Sequence, residues 1–153
     1  MQKYEYLTHE IMNSYYREVV RQMTNSGFIP DVILAPMRGG ADFGVKLSNY
    51  YNVPFVPLTW QTRDGKDKDV ATFLSVLDEW QDSSILLVDD ICDTGYTINE
   101  LVSLANAEEL HEFRVAVAIE NLEADSQIDY SAREISRTED TQWFVFPWES
   151  WWK

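Results

Sequence analysis

The sequence predicts an α/β domain: a mostly parallel sheet flanked by helices. Three observations support this. Short aliphatic runs of strand length alternate along the chain with segments whose apolar residues recur at helical spacing. No internal repeat, low-complexity tract or Pro/Gly/Ser linker interrupts the alternation. The length, 153 residues, suits one domain spanning 1–153 with a sizeable buried core.

From Thr8 to Ser26, Ile11, Met12, Tyr15, Tyr16, Val19, Val20 and Met23 define a first helix, with Gly27 as its stop. Asp31–Pro36 reads as a short buried strand, followed by Met-Arg-Gly-Gly. Ala41–Tyr51 carries Phe43, Leu47 and Tyr50 on one helical face, and Val53–Leu58 reads as a strand. Residues 61–69 are polar and charged around a glycine, which predicts an exposed loop. Val70–Trp80 is amphipathic. Ser84–Asp90 is a buried strand, and Ile98, Leu101, Val102 and Ala105 form a helical stripe after it. Phe113–Ile119 and Trp143–Phe146 read as the remaining strands. In sheets of this kind ligands bind beyond the carboxyl ends of the strands. Met37-Arg-Gly-Gly and the segment after Ser84–Asp90 both fall there, so they are expected to meet.

Composition narrows the partners. The balance of 12 basic against 26 acidic residues gives a net charge of −14. Such a surface disfavours nucleic acid and anionic membrane. An anionic substrate must then be held by a local device: a metal, backbone N–H groups or a few placed cations. No apolar run approaches the ~20 residues of a membrane span. The opening MQKYEYLTHE has no secretory apolar core, and Cys92 is the sole cysteine; both fit a cytoplasmic location.

The most informative stretch is VDDICDTGYT, Val88–Thr97. Free N–H groups at a helix N-terminus suit phosphate, and Thr97 with Glu100 reads as a Thr-x-x-Glu capping box. Adjacent carboxylates at a strand end need water, a cation or ligand hydroxyls; magnesium with a polyphosphate, or a ribose diol, meets that need. A phospho-accepting receiver domain requires a later lysine, and the only lysine after the pair is the terminal Lys153. A Walker B strand requires a partner GxxxxGK[ST], and a dinucleotide fold GxGxxG; both are absent.

VDDICDTGYT resembles the phosphoribosyl-pyrophosphate signature of the type I phosphoribosyltransferases. LAPMRGGADFG (Leu34–Gly44) resembles their pyrophosphate loop. WFVFPWE (Trp143–Glu149) resembles the C-terminal base-binding stretch of small bacterial xanthine-guanine phosphoribosyltransferases, whose length and element order the chain also matches. The resemblance implies the type I phosphoribosyltransferase fold with a small hood, and a magnesium-dependent enzyme of base salvage. Its partners would be phosphoribosyl pyrophosphate and a nucleobase, its product a nucleoside monophosphate, and its assembly a dimer or tetramer.

Residue by residue, the resemblance assigns ribose and magnesium to Asp89 and Asp90, and general base catalysis to Asp93. The 5′-phosphate falls to Asp93, Thr94, Gly95, Tyr96 and Thr97, and pyrophosphate to Arg38, Gly39 and Gly40, where relatives often have a non-proline cis peptide. A closing loop over Thr59–Asp69 would bring Arg63, Lys66 and Lys68, three of 12 cations within six residues. Trp143 would stack on the base and backbone groups near Phe144 would read its edge. Glu149 would serve a second magnesium. Trp148, Trp151 and Trp152 read as packing residues, in the core or between subunits. His9, His111 and Cys92 are assigned no chemistry.

The 6-oxopurine enzymes usually place a lysine after the strand that here reads VAVAIEN, where it contacts the purine O6. This chain offers Glu120 and Asn121 instead. Asn121 can donate to a carbonyl; Glu120 favours an amino group. Guanine, xanthine and hypoxanthine lead as acceptors, with adenine and non-purine bases as alternatives. A non-catalytic regulator that senses phosphoribosyl pyrophosphate on the same fold is the competing class.

Overall fold

The computed structural model describes residues 1–61 and 67–153, with Asp67 described by its backbone alone. The chain runs β1 (Tyr4–Tyr6), α1 (His9–Ser26), β2 (Val32–Met37), α2 (Ala41–Tyr51), β3 (Phe55–Gln61) and β4 (Asp67–Lys68). It continues through α3 (Val70–Glu79), β5 (Ser84–Cys92), α4 (Tyr96–Asn106), β6 (Glu112–Asn121), β7 (Tyr130–Ile135) and β8 (Trp143–Val145). The main sheet has the order β4-β3-β2-β5-β6-β7. Five of these strands are parallel, and β4 joins β3 antiparallel at one edge.

Strand alternation sorts the core into two layers. Ile33, Ala35, Leu86, Val88, Ala116 and Ala118 pack with Met12, Tyr16, Val19, Phe43 and Leu47, so α1 and α2 cover one face. Val32, Leu34, Ile85, Leu87, Val115 and Val117 pack with Phe73, Leu77, Ile98 and Leu101, so α3 and α4 cover the other. This burial on both sides is why the strands read as continuous aliphatic runs.

The helix boundaries follow local chemistry. Thr8 Oγ1 accepts from the Ile11 N–H, and Gly27 closes α1 at φ 76° with its N–H on the carbonyls of Met23 and Thr24. Asp69 caps α3 by accepting from the Thr72 N–H.

Three strands depart from the sequence reading. β7 adds to the sheet edge from a segment, YSAREI, whose mixed polarity hides it. β4 rises from the stretch read as loop. β1 pairs in parallel with β8, Tyr4 opposite Trp143, so the last strand belongs to a separate two-stranded hood and not to the main sheet.

The hood is tied down. Glu5 of β1 forms an ion pair with Arg133 of β7, which also donates to the Tyr15 hydroxyl at 3.2 Å. Trp148 stacks on Phe146, centroids 5.1 Å apart. Trp151 and Trp152 lie exposed, so core packing does not hold for them.

Candidate active site

Strand order places the site. From β2 the chain steps outward through α2 to β3, then returns past β2 to lay β5 on its other side. The crevice between the carboxyl ends of β2 and β5 is the topological switch point, where such sheets bind ligands. Met37-Arg38-Gly39-Gly40 leaves β2 there, Asp89 and Asp90 lie near the carboxyl end of β5, and Asp93–Gly95 leaves it.

The two loops touch. A Cβ built on Gly39 would lie 2.7 Å from Asp90 Oδ2, so only glycine lets the backbone come this close. The Met37–Arg38 peptide is cis, and the Arg38 side chain is exposed.

Asp89 and Asp90 are both buried, and no Lys or Arg pairs with either among the described residues. Asp89 Oδ1 accepts the Asp90 N–H at 2.9 Å, and Asp90 Oδ1 accepts the Ile91 N–H at 2.7 Å. Burial first, then the charge of Asp90, hold Asp89 well above the ordinary aspartate range. Burial also pushes Asp90 up, to about 6, against the hydrogen bonds from Asp89 and the Ile91 N–H, with Glu149 adding repulsion.

A buried carboxylate pair without a protein cation suits a hard cation. No cluster of three or more His, Cys, Asp or Glu able to hold a metal occurs among the described residues. One or two carboxylates, with water and substrate oxygens completing the shell, is the donor set magnesium favours. These residues therefore fit the metal implied above.

Beyond the pair, Gly95 sits at φ 87° at the N-cap of α4, and a Cβ there would meet Ser126 Oγ at 2.5 Å. Asp89, Asp93, Thr94, Gly95, Tyr96 and Thr97 line a cleft of about 150 Å³ around this helix start. The amides of the first α4 turn are suited to an anion. The expected capping box is overturned: Gly95 is the N-cap and no side chain caps the helix. Glu100 instead binds Lys68 Nζ at 2.7 Å.

A second cleft, about 180 Å³, lies beside the first and shares Asp93. Asp90, Asp93, Arg137, Trp143, Phe144 and Glu149 all line it. Trp143 is half-exposed, so its indole has an accessible surface, whereas Phe144 is buried. Glu149 also accepts from the Phe146 N–H at 3.4 Å.

Arg137, between β7 and β8, is the residue sequence reading missed. Its Nε and Nη2 donate to Asp93 Oδ1 and Oδ2 at 2.8 and 3.0 Å. Its Nη1 donates to the carbonyls of Asp140 and Gln142 at 2.9 and 2.6 Å. An arginine just upstream of WFVFPWE, in a chain poor in cations, was the available signal.

Other expected residues are placed differently. Asn121 is buried and does not line the second cleft; its Nδ2 donates to the Asp93 carbonyl at 2.8 Å and its Oδ1 accepts from the Glu123 N–H. It fastens the Asp93 turn. Lys68 is engaged with Glu100 and lines neither cleft. Arg63 and Lys66 lie outside the described residues.

Taken together, the fold and site define a parallel α/β protein with an anion cradle, a metal-suited carboxylate pair and an aromatic-walled cleft at one switch point. The phosphoribosyl transferase domain model matches residues 4–151, and the chain belongs to that family. It is a phosphoribosyltransferase.

Among solved structures, it is similar to a purine phosphoribosyltransferase from Pyrococcus horikoshii, with 22% identity, TM-score 0.75, and coverage of 97% of this chain and 95% of that one. A Helicobacter pylori xanthine-guanine-hypoxanthine phosphoribosyltransferase gives 20%, 0.74, 96% and 94%. A hypothetical protein from Neisseria gonorrhoeae with bound ppGpp gives 20%, 0.79, 98% and 91%. A sequence comparison with curated proteins finds no match.

Proposed function

We propose that this protein transfers ribose 5-phosphate from phosphoribosyl pyrophosphate to a 6-oxopurine (guanine, xanthine or hypoxanthine), releasing pyrophosphate. The observation carrying this reading is Asp93, which stands on the wall shared by the two clefts. One cleft suits the 5′-phosphate and the other a flat base, so the bond to be made falls between them.

In this reading the α4 amides hold the 5′-phosphate and Asp89 and Asp90 hold the ribose diol and the cation. Bound magnesium supplies leaving-group charge neutralisation. Backbone groups of Arg38–Gly40 and the Arg38 side chain orient the pyrophosphate. Trp143 stacks on the base. Asp93 accepts the proton released from its ring nitrogen. Arg137 occupies one acceptor site on each Asp93 oxygen, and each oxygen has a further site. The carboxylate is one-third exposed to the cleft, so it remains reachable.

The same ion pair favours a second reading. With Arg137 fastened on both of its oxygens, Asp93 can serve as an anchor of the cleft wall, as a site that binds without turnover would permit.

A turnover assay separates the two. Phosphoribosyl pyrophosphate and magnesium are offered with guanine, xanthine, hypoxanthine, adenine, orotate and uracil separately, with Asp93→Asn as control. Nucleoside monophosphate from an oxopurine, lost in the control, is expected. Binding of phosphoribosyl pyrophosphate without product from any base would refute the transferase reading in favour of a sensor.

A further inference from the structure

The second cleft is acidic: Asp90, Asp93 and Glu149 line it, and Arg137 is the only cation among its described lining residues. A base carrying carbonyl oxygens needs a donor there, and the carboxylates cannot supply one when ionised. We propose that Arg137 is the residue that selects the base, donating to a carbonyl oxygen of the acceptor and discriminating against amino-substituted rings. This rests on the reading that the cleft receives a nucleobase.

The guanidinium is held ready for that task. It has five N–H groups. Four are engaged: Nε on Asp93 Oδ1, Nη2 on Asp93 Oδ2, and the two of Nη1 on the carbonyls of Asp140 and Gln142. The fifth, on Nη2, has no protein acceptor among the described residues. The group also lies over the Phe144 ring, 5.3 Å from its centroid, on the strand that carries Trp143. Four hydrogen bonds and a ring fix its plane, so little side-chain entropy remains to be lost on binding.

The arrangement also fixes the pattern being read. Asp93 accepts and Nη2 donates, side by side, on one wall of the cleft. A ring that presents an N–H next to a carbonyl oxygen satisfies both. A ring with an amino group in place of the carbonyl sets donor against donor. A polar group that the bound base covers but leaves unmatched is the strongest source of such discrimination. Asn121, expected from sequence to make this contact, is instead occupied on the Asp93 carbonyl.

The test compares wild type with Arg137→Gln and Arg137→Lys, by turnover and by calorimetric binding of guanosine and adenosine 5′-monophosphates. Thermal melting confirms that each variant is folded. Arg137→Gln should lower kcat/KM for oxopurines about 10- to 100-fold, leave the KM for phosphoribosyl pyrophosphate within about threefold, and erase the preference for the guanine nucleotide. Arg137→Lys, which keeps the charge but not the fork, should fall between. Losses equal for oxopurines and adenine, or an unchanged nucleotide preference, would overturn the inference. So would a wild-type protein that binds both nucleotides equally. If wild type turns over no base yet loses its nucleotide preference in Arg137→Gln, base selection by Arg137 stands and the transferase reading fails.

Discussion

Asp90→Asn should make the metal-free protein more stable while weakening its substrate site. Two adjacent carboxylates are buried at the end of β5 without a protein cation among the described residues. An ordinary aspartate titrates near 3.9, and Asp90 is pushed up to about 6. At about 1.4 kcal/mol per pH unit, that gap sets a ceiling of ~3 kcal/mol on the cost of ionising Asp90 in the folded state. The sign follows from the direction. The folded state binds the proton more tightly than the unfolded one. The cost is therefore fully present above about pH 6 and is relieved as pH falls toward 4. Asp89 also loses a repulsive neighbour in the variant, and an amide oxygen still accepts from the Ile91 N–H. A gain of about 1–3 kcal/mol in a chain of this size raises Tm by about 3–8 °C. Melting in EDTA at pH 8 should show the rise, and melting at pH 4.5 should show most of it gone. Equal melting temperatures at pH 8 would refute the premise that the pair is an uncompensated buried charge. Magnesium-dependent binding of phosphoribosyl pyrophosphate should weaken at least tenfold in the same variant, measured by calorimetry.

Three further outcomes are expected. Gly95→Ala forces φ 87° on a residue with a Cβ and brings it to 2.5 Å from Ser126 Oγ; it should cost about 1–3 kcal/mol in urea unfolding, and adding Ser126→Ala should recover only part, because the backbone penalty remains. Trp143→Ala should raise the KM for the base about tenfold or more, at 1–3 kcal/mol per stacked base, leaving that for phosphoribosyl pyrophosphate nearly unchanged, with Trp143→Phe close to wild type. Without magnesium, binding of phosphoribosyl pyrophosphate should strengthen as salt is raised from ~20 to ~300 mM, because screening relieves repulsion from a chain of net charge −14; calorimetry in EDTA reads the slope.

The sequence made the site legible in some places and hid it in others, for physical reasons. β2, β5 and β6 are buried on both faces, so Val32–Ala35, Ile85–Val88 and Val115–Ile119 announce themselves without reference to their neighbours. The end of β5 and the turn after it are equally legible, because Asp89, Asp90 and Gly95 each answer a local demand. β7 was hidden: only its two end residues are buried, and three of its six residues are Ser, Arg and Glu. β1 was hidden because its partner lies about 140 residues away, Tyr4 against Trp143. Thr97 and Glu100 have capping-box spacing, yet Gly95 starts the helix and Glu100 is claimed by Lys68, 32 residues earlier. Arg137 met Asp93 across 44 residues, and Asn121 across 28. Periodicity reports burial, and motif spacing reports local geometry. Neither reports which distant polar group a side chain will find.

The unfavourable features of the site share one support. The carboxylate pair lies near the carboxyl end of β5, and the left-handed Gly95 follows that strand by three residues. That strand is laddered on both sides, by β2 and β6, and Ile85, Leu86, Leu87 and Val88 are fully buried. At about 1.5–3 kcal/mol for each such side chain, these four contribute gross burial of ~6–12 kcal/mol. That exceeds the ~3 kcal/mol set against Asp90 and the ~1–3 kcal/mol set against a strained turn. The reverse layout would not hold. β7 borders a single strand, and with only Tyr130 and Ile135 of its six residues buried it could not offset a charged pair at its end. This explains the division of labour between the strands. Groups whose ionisation is costly sit at the end of the central strand, where packing fixes them. Arg137, which binds Asp93 in the turn beyond them, comes from the loop after the edge strand, where it keeps partial contact with water and needs no core to carry it.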